Sequence, residues 1–129
     1  MNVEVGTELP EISQRAELTT SVAYAAASGD LNPLHYDPDF AAGVSPTGGM
    51  IAHGMYAMGL ASRVLTAFAG GPERVAEVNV RFTRPWPLQT TSTFGGTVTN
   101  VDGDVATVQL WGRNDRGEQI LKGVGRIRV

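Results

Sequence analysis

Ile51 to Ala69 reads IAHGMYAMGLASRVLTAFA. It is the longest helical stretch the sequence predicts. Ile51, Met55, Met58, Ser62, Leu65 and Ala69 recur at steps of four and three residues, which is one face of an α-helix. Ala57, Ala61, Val64 and Phe68 form a second apolar stripe, and Arg63 is the only formally charged residue. A helix apolar around most of its circumference is surrounded by protein, so this one is expected at the centre of the fold. His53, Arg63 and several glycines interrupt it too often for a membrane span. Gly70-Gly71-Pro72 ends it.

Downstream, the spacing changes from helical to alternating. Val78-Asn79-Val80-Arg81-Phe82 alternates apolar and polar residues, as a half-buried strand does, and Pro85 and Pro87 end it. Thr91 to Val101 and Val105 to Arg113 flank Asp102-Gly103-Asp104, a hairpin turn in which Gly supplies a positive φ. Asn114 to Gly117 is a second turn, and Gln119 to Val129 is the last strand. Leu121, Gly123, Gly125, Ile127 and Val129 share one face of it. Glycines on a sheet face remove side chains where something bulky approaches, and the long helix is the candidate. The order predicts one buried helix followed by four antiparallel strands that wrap it.

Upstream, Val3 to Gln14 is a lead-in that either adds an edge strand or crosses the surface. Thr19-Thr20-Ser21 offers N-capping hydroxyls for a short helix over Val22 to Ala27, which Gly29 stops. Asp37-Pro38 restarts a helical turn, with Asp as cap and Pro at the first helical position. Phe40 and Ala41 are expected to pin that turn to the core. Gly43 to Met50 is a loop by its Gly and Pro content. Within Tyr24 to Ala42, YAAASGDLNPLHYDPDFAA, Asp30 and His35 lie five residues apart, with Asn32 and Pro33 between them. Gly29, Pro33 and Pro38 prevent one regular helix there, and this holds an acid and a base at a fixed separation.

A chain of 129 residues is expected to form one domain over 1–129 with its own core. The net charge of −3 without a basic block makes nucleic acid an unsuitable partner. With no cysteine, a disulfide framework and a thiolate metal site are excluded, and a reducing, cytoplasmic setting fits. Met1 to Gly6 lacks a basic region followed by an apolar one, so no signal peptide is expected. With two histidines in the chain, convergence of His35, His53 and Asp37 on a metal is a poor reading, so no metal is expected. No Gly-rich phosphate loop follows a predicted strand, so no nucleotide cofactor is expected either.

Tyr24…Ser28-Gly29-Asp30-Leu31-Asn32-Pro33-Leu34-His35…Ala41-Ala42 closely resembles the signature of the MaoC-like, R-specific enoyl-thioester hydratases and dehydratases. Ala52-His53-Gly54-Met55 and Asn79 to Pro85 fit the same family, and the resemblance runs over roughly residues 3–129. It implies a hot-dog fold of the α+β class, a long central helix wrapped by a curved antiparallel β-sheet. It also implies reversible hydration of trans-2-enoyl thioesters, of coenzyme A or acyl carrier protein, to (R)-3-hydroxyacyl thioesters. No cofactor is implied. The family pairs two sheets, so the resemblance implies a homodimer, or a heterodimer in which this chain, keeping Asp30 and His35, is the active partner.

The chemistry needs a base for the attacking water, an acid for Cα and a donor for the charge on the thioester oxygen. The resemblance implies that Asp30 and His35 hold the water jointly. The backbone N–H of Gly54, at the start of the long helix, is the expected oxyanion donor. The plainer reading of Gly54 is relief of crowding at the helix start. For Asp30 and His35 it is a turn residue and a histidine satisfied by a carbonyl. Asn32 is expected to fix the loop or Asp30. Ser62 either bonds the Met58 carbonyl or supports the catalytic water or His35. His53 reads as structural. Arg74, Arg81 and Arg84 are candidates for the phosphates of the carrier, and a solvated face serves Arg74 equally. Arg81 alternates with Val80 and Phe82 and so points away from the apolar face. Met50, Met55, Tyr56, Met58 and Trp86 are candidates for an acyl pocket or for plain core. Two other activities stay open: a hot-dog thioesterase, and a non-catalytic thioester-binding subunit that tunes a partner.

Overall fold

The alternating stretches become strands. The protein, seen as a computed structural model, is described over residues 2–129. Its strands are β1 (Ile12–Arg15), β2 (Val75–Phe82), β3 (Thr91–Asp102), β4 (Val105–Arg113) and β5 (Gln119–Arg128). They form one sheet in the order β1-β3-β4-β5-β2, with every pairing antiparallel. The lead-in does add an edge strand, with Ile12 opposite Phe94. β2 starts three residues before the expected strand, at Val75. Gly103 turns the β3–β4 hairpin at φ 61°.

Alternation sorts the side chains. Phe94, Val98, Val108, Leu110, Leu121 and Ile127 are buried on the inner face, while Arg81, Gln109, Lys122 and Arg126 are exposed on the outer one. The inner face curls around the long helix, and the helix packs on β2, β3, β4 and β5. Ala57, Leu60, Ala61, Val64, Leu65 and Ala69 are its buried side. Gly125 is the close approach expected of it: a Cβ there would stand 2.5 Å from Leu65 Cδ1. Gly123 has a different reason. Its missing side chain faces the main chain of Asn79 and Val80 on β2, not the helix.

The helices are α1 (Leu18–Ser28), α2 (Pro38–Val44) and α3 (Gly54–Ala69), with a single 3-10 turn over Pro33–His35 and another over Pro72–Arg74. Three expectations change here. α3 begins at Gly54 instead of Ile51, because the preceding backbone is engaged elsewhere. Ile51 N–H donates to Leu34 O, Ala52 N–H to Trp86 O and Leu88 N–H to Met50 O. The Thr19-Thr20-Ser21 hydroxyls do not cap α1, whose N-cap is Glu17. They fall inside its first turns, and Ser21 turns inward. Phe40 does not pin α2; Ala41 fills the one inward position of that short helix, and Phe40 is 43% exposed. The caps at the other ends hold as expected. Gly29 and Gly70 close α1 and α3 at φ 77° and 90°. Asp37 accepts from the N–H groups of Asp39 and Phe40 at 3.0 and 3.3 Å.

α3 is not enclosed by its own chain. Met55, on its first turn, is 58% exposed, and Phe82 beside that turn is 45% exposed.

Candidate active site

Short polar turns set the geometry of the segment between α1 and α2. Asp30 N–H donates to Ser28 Oγ at 3.2 Å, Asn32 N–H to Asp30 Oδ1 at 3.4 Å, and Leu34 N–H to Asn32 Oδ1 at 3.1 Å. Asn32 thus caps the 3-10 turn whose last residue is His35. This is the loop-fixing role expected of it, and it works through Asx turns.

His35 is buried and held from three sides. Its carbonyl accepts from Ser21 Oγ at 2.6 Å, its N–H donates to Asn32 O at 3.1 Å, and its Nδ1 lies 2.7 Å from Ile51 O. A carbonyl oxygen only accepts, so Nδ1 carries the hydrogen. In the neutral ring the lone pair is then on Nε2. That atom faces Asp30 Oδ2 at 3.7 Å. The separation exceeds a direct hydrogen bond and leaves both atoms able to contact one small oxygen. The Asp30 side chain is 55% exposed, so the pair opens to solvent on the acid's side.

His53 completes the group. It is the N-cap residue of α3, yet it makes no side-chain cap bond. Its Nε2 lies 3.1 Å from the Asp30 carbonyl oxygen, so Nε2–H is the donor. Its ring stacks on His35, with centroids 3.8 Å apart and 23° between planes. Tyr24 packs on it at 4.8 Å. Burial pushes its pKa below the usual histidine value; the Asp30 carbonyl bond opposes this, the neighbouring His35 adds to it, and the Asp30 carboxylate opposes it.

Donor atoms of Asp30, His35 and His53 lie within 4.8 Å of one another. One nitrogen of each ring is engaged with a carbonyl, which leaves one free nitrogen on each ring.

Gly54 follows His53 and heads α3, where an N–H has no intrahelical acceptor and the helix dipole is positive. A Cβ on Gly54 would meet the Phe82 ring at 3.1 to 3.3 Å. A cleft of about 330 Å³ opens here, lined by His35, His53, Gly54, Phe82, Pro85 and Trp86 among others. Arg84 stands at its rim, 3.4 Å from Glu118.

The remaining predicted residues are spread more widely. Tyr56 lies behind the site between Tyr24 and Trp86, at 5.6 and 5.8 Å. Burial raises its phenol pKa, and Arg63 partly offsets this. Met55 is on the exposed side of α3, and half-buried Ser62 is two turns along that helix, away from the cleft lining. Arg81 is on the outer face of the sheet, in register with Lys122. The structure therefore brings Asp30 to His35, with Asn32 in the same turn, and places His35, Gly54 and Arg84 on one cleft. Met55, Tyr56, Ser62 and Arg81 are not in the lining of that cleft within one chain. His53, read from the sequence as structural, contacts both Asp30 and His35.

Comparison with known proteins agrees with this geometry. Residues 4–111 match the family described as MaoC like domain. The chain is 31% identical to the 3-oxo-4,17-pregnadiene-20-carboxyl-CoA hydratase beta subunit of Mycobacterium tuberculosis, over 90% of this chain and 89% of that one. It superposes on an (R)-hydratase from A. caviae involved in PHA biosynthesis with TM-score 0.90 and 28% identity, covering 98% and 97% of the two chains. It superposes on a chain of the ChsH1-ChsH2 complex from Mycobacterium tuberculosis with TM-score 0.87 and 30% identity, covering 100% and 99%. Other curated relatives are longer, and the match spans less than half of each. A curled antiparallel sheet around one helix and a match over most of the chain lead to one conclusion: the chain belongs to the MaoC-like family of the hot-dog fold and is a hydro-lyase of the hydratase and dehydratase kind.

Proposed function

We propose that this protein hydrates trans-2-enoyl thioesters reversibly to (R)-3-hydroxyacyl thioesters, as one domain over 1–129. Asp30 and His35 are its acid/base pair, and the Gly54 N–H is its oxyanion donor. One observation carries the reading: His35 Nε2 and Asp30 Oδ2 face each other at 3.7 Å while Nδ1 is committed to the Ile51 carbonyl. A water between them, ~2.8 Å from each, donates one hydrogen to the carboxylate and the other to the Nε2 lone pair. Its own lone pair is then free for Cβ of the enoyl group. As the C–O bond forms, the water's proton passes to the pair, and the thioester carbonyl takes up the displaced electrons as an enolate. Gly54 N–H, at the positive end of α3, stabilises that charge. The pair then delivers one proton to Cα. The net change is addition of H and OH, and the reverse sequence is dehydration. Positioned acid/base catalysis contributes about 10²–10⁴-fold and one oxyanion donor about 10²–10³-fold.

Coenzyme A and acyl carrier protein thioesters both suit this chemistry. The coenzyme A thioester named for the Mycobacterium relative favours the former. Arg84 at the cleft rim, and Met55, Tyr56 and Arg81 beyond it, are the proposed substrate contacts, and Asn32 and Ser62 the supporting residues. β2 is an edge strand bonded only to β5, and Met55 and Phe82 are exposed beside Gly54. Both features support pairing with a second hot-dog chain, identical or related. A beta subunit and a two-protein complex among the relatives favour the related one as the second arrangement. No described helix is long and apolar enough to cross a membrane. A cytoplasmic setting is the location we propose.

The test is hydration of crotonyl-CoA, followed by loss of absorbance of the conjugated thioester. Wild type is run beside Asp30→Asn and His35→Ala. Turnover in the wild type, reduced at least about 10²-fold in each folded variant, is expected. Activity that survives both substitutions overturns the assignment. Release of free thiol from a saturated acyl thioester points instead to a thioesterase.

A further inference from the structure

His53 is a buried titratable group that the hydration scheme does not use. It touches both members of the pair by different means. Its ring lies against the His35 ring at 3.8 Å, and its Nε2–H donates to the Asp30 carbonyl at 3.1 Å. Asp30 itself has few anchors. Its side chain is half exposed, and the hydrogen bonds within its own turn involve only Ser28 and Asn32. The His53 bond joins that turn to the start of α3, the same point that presents Gly54 to the cleft.

We propose that His53 is a positioning residue of this site, a plate behind the His35 ring and a tether on the Asp30 main chain that together set the separation of the acid/base pair. The proposal rests on Asp30 and His35 being that pair. Asp30 and His35 from the loop and Tyr24 from α1 touch His53, and Glu17 and Tyr56 line the same small pocket beside it. A neutral ring suits this place in both halves of the reaction. It stacks on His35 with or without the transferred proton, whereas a second cation 3.8 Å away would repel the imidazolium. Burial keeps His53 toward that neutral form.

Two variants separate the two contacts. His53→Phe keeps the plate and loses the donor; His53→Gln keeps an amide donor and loses the aromatic plate. Each is expected to lower kcat for crotonyl-CoA hydration about tenfold to hundredfold with KM within about threefold, because an ångström-scale misplacement of a reacting group costs on this order. The effect of His53→Phe is expected to shrink in an Asp30→Asn background, since the tether acts through Asp30. A second readout needs no variant. The chain has two histidines, so its imidazole ¹⁵N signals are few. The wild type is expected to show one Nδ1–H ring, His35, and one Nε2–H ring, His53. If both variants keep kcat within about twofold, or lose rate only in proportion to folded fraction, the proposal is overturned. An Nδ1–H tautomer at His53 overturns it as well, because Nε2 then has no hydrogen to donate. If Asp30→Asn and His35→Ala remain active, the acid/base reading fails and takes this one with it. If those two are impaired while both His53 variants are not, only the present proposal fails.

Discussion

Gly54→Ala separates the two readings of that glycine, oxyanion donor and relief of crowding. Gly54 is not among the residues with positive φ, so alanine fits the backbone. The added Cβ would stand 3.1, 3.2 and 3.3 Å from three Phe82 ring atoms. Ordinary carbon contacts begin near 3.5 Å, so the ring has to withdraw by roughly 0.4 Å. Phe82 ends β2 and is 45% exposed, so it has room to do so. The steric cost is therefore about 1 kcal/mol or less, and at the first helical position alanine's propensity gain is smaller than its interior value of about 0.5–1 kcal/mol. Folding stability is expected to change by less than about 1 kcal/mol. The rate is expected to respond differently. The N–H survives, but a methyl beside it keeps a thioester carbonyl at a distance, and most of the donor's 10²–10³-fold effect is forfeited. We expect kcat for crotonyl-CoA to fall about 10²-fold, with urea midpoints nearly unchanged. Gly54→Ala combined with Phe82→Ala removes the ring contact and leaves the methyl. It should stay slow if the block is at the carbonyl. An alanine variant that hydrates within about threefold of wild type refutes the oxyanion role.

Two more outcomes follow from packing and titration. Gly125→Ala places a Cβ 2.5 Å from Leu65 Cδ1 and 2.8 Å from Cδ2 inside the core, where the buried Leu65 has to repack. It should cost about 1–3 kcal/mol in urea unfolding while the folded fraction keeps its turnover. The lowered pKa of His53 means that the unfolded chain binds its proton more readily than the folded one. Its contribution to stability is therefore complete above the unfolded value of about 6.5, and is lost as pH falls from there through the folded value. Between about pH 7.5 and 5.5, wild type should lose more stability than His53→Gln does; equal losses would contradict the buried, neutral assignment.

Most of the fold was legible because strands and turns announce themselves locally. Val105 to Arg113 alternates cleanly, and Gly103 and Gly117 mark turns with φ of 61° and 76°. The misreadings share one physical cause. They concern residues whose state is decided by distant partners. Ile51 to His53 continues the apolar pattern of α3, yet its main chain is claimed by Leu34 and Trp86. Ser21 looks like a cap, yet its hydroxyl is taken by His35 O fourteen residues away. The closeness of Asp30 and His35 was readable because their turn carries its own Asn and Pro. His53 was not, because nothing in the spacing of residues 35 and 53 says that the two rings stack.

The site is also unevenly rigid, and this bears on how it works. Ser21, Asn32 and Ile51 hold His35 from α1, from its own turn and from the approach to α3. Its Nε2 is thus fixed in direction before any ligand arrives. The Asp30 carboxylate is held by one weak turn bond of 3.4 Å and is half open to solvent. The main chain beneath it is tethered by His53, but its side chain keeps rotational freedom. A fixed imidazole and a carboxylate that can swing leave one adjustable distance, the 3.7 Å between Oδ2 and Nε2. Catalytic hydrogen bonds of this sort often tighten only when substrate excludes solvent. On the proposed reading, exclusion on the open side comes from the thioester itself or from a second chain beside the exposed Met55 and Phe82.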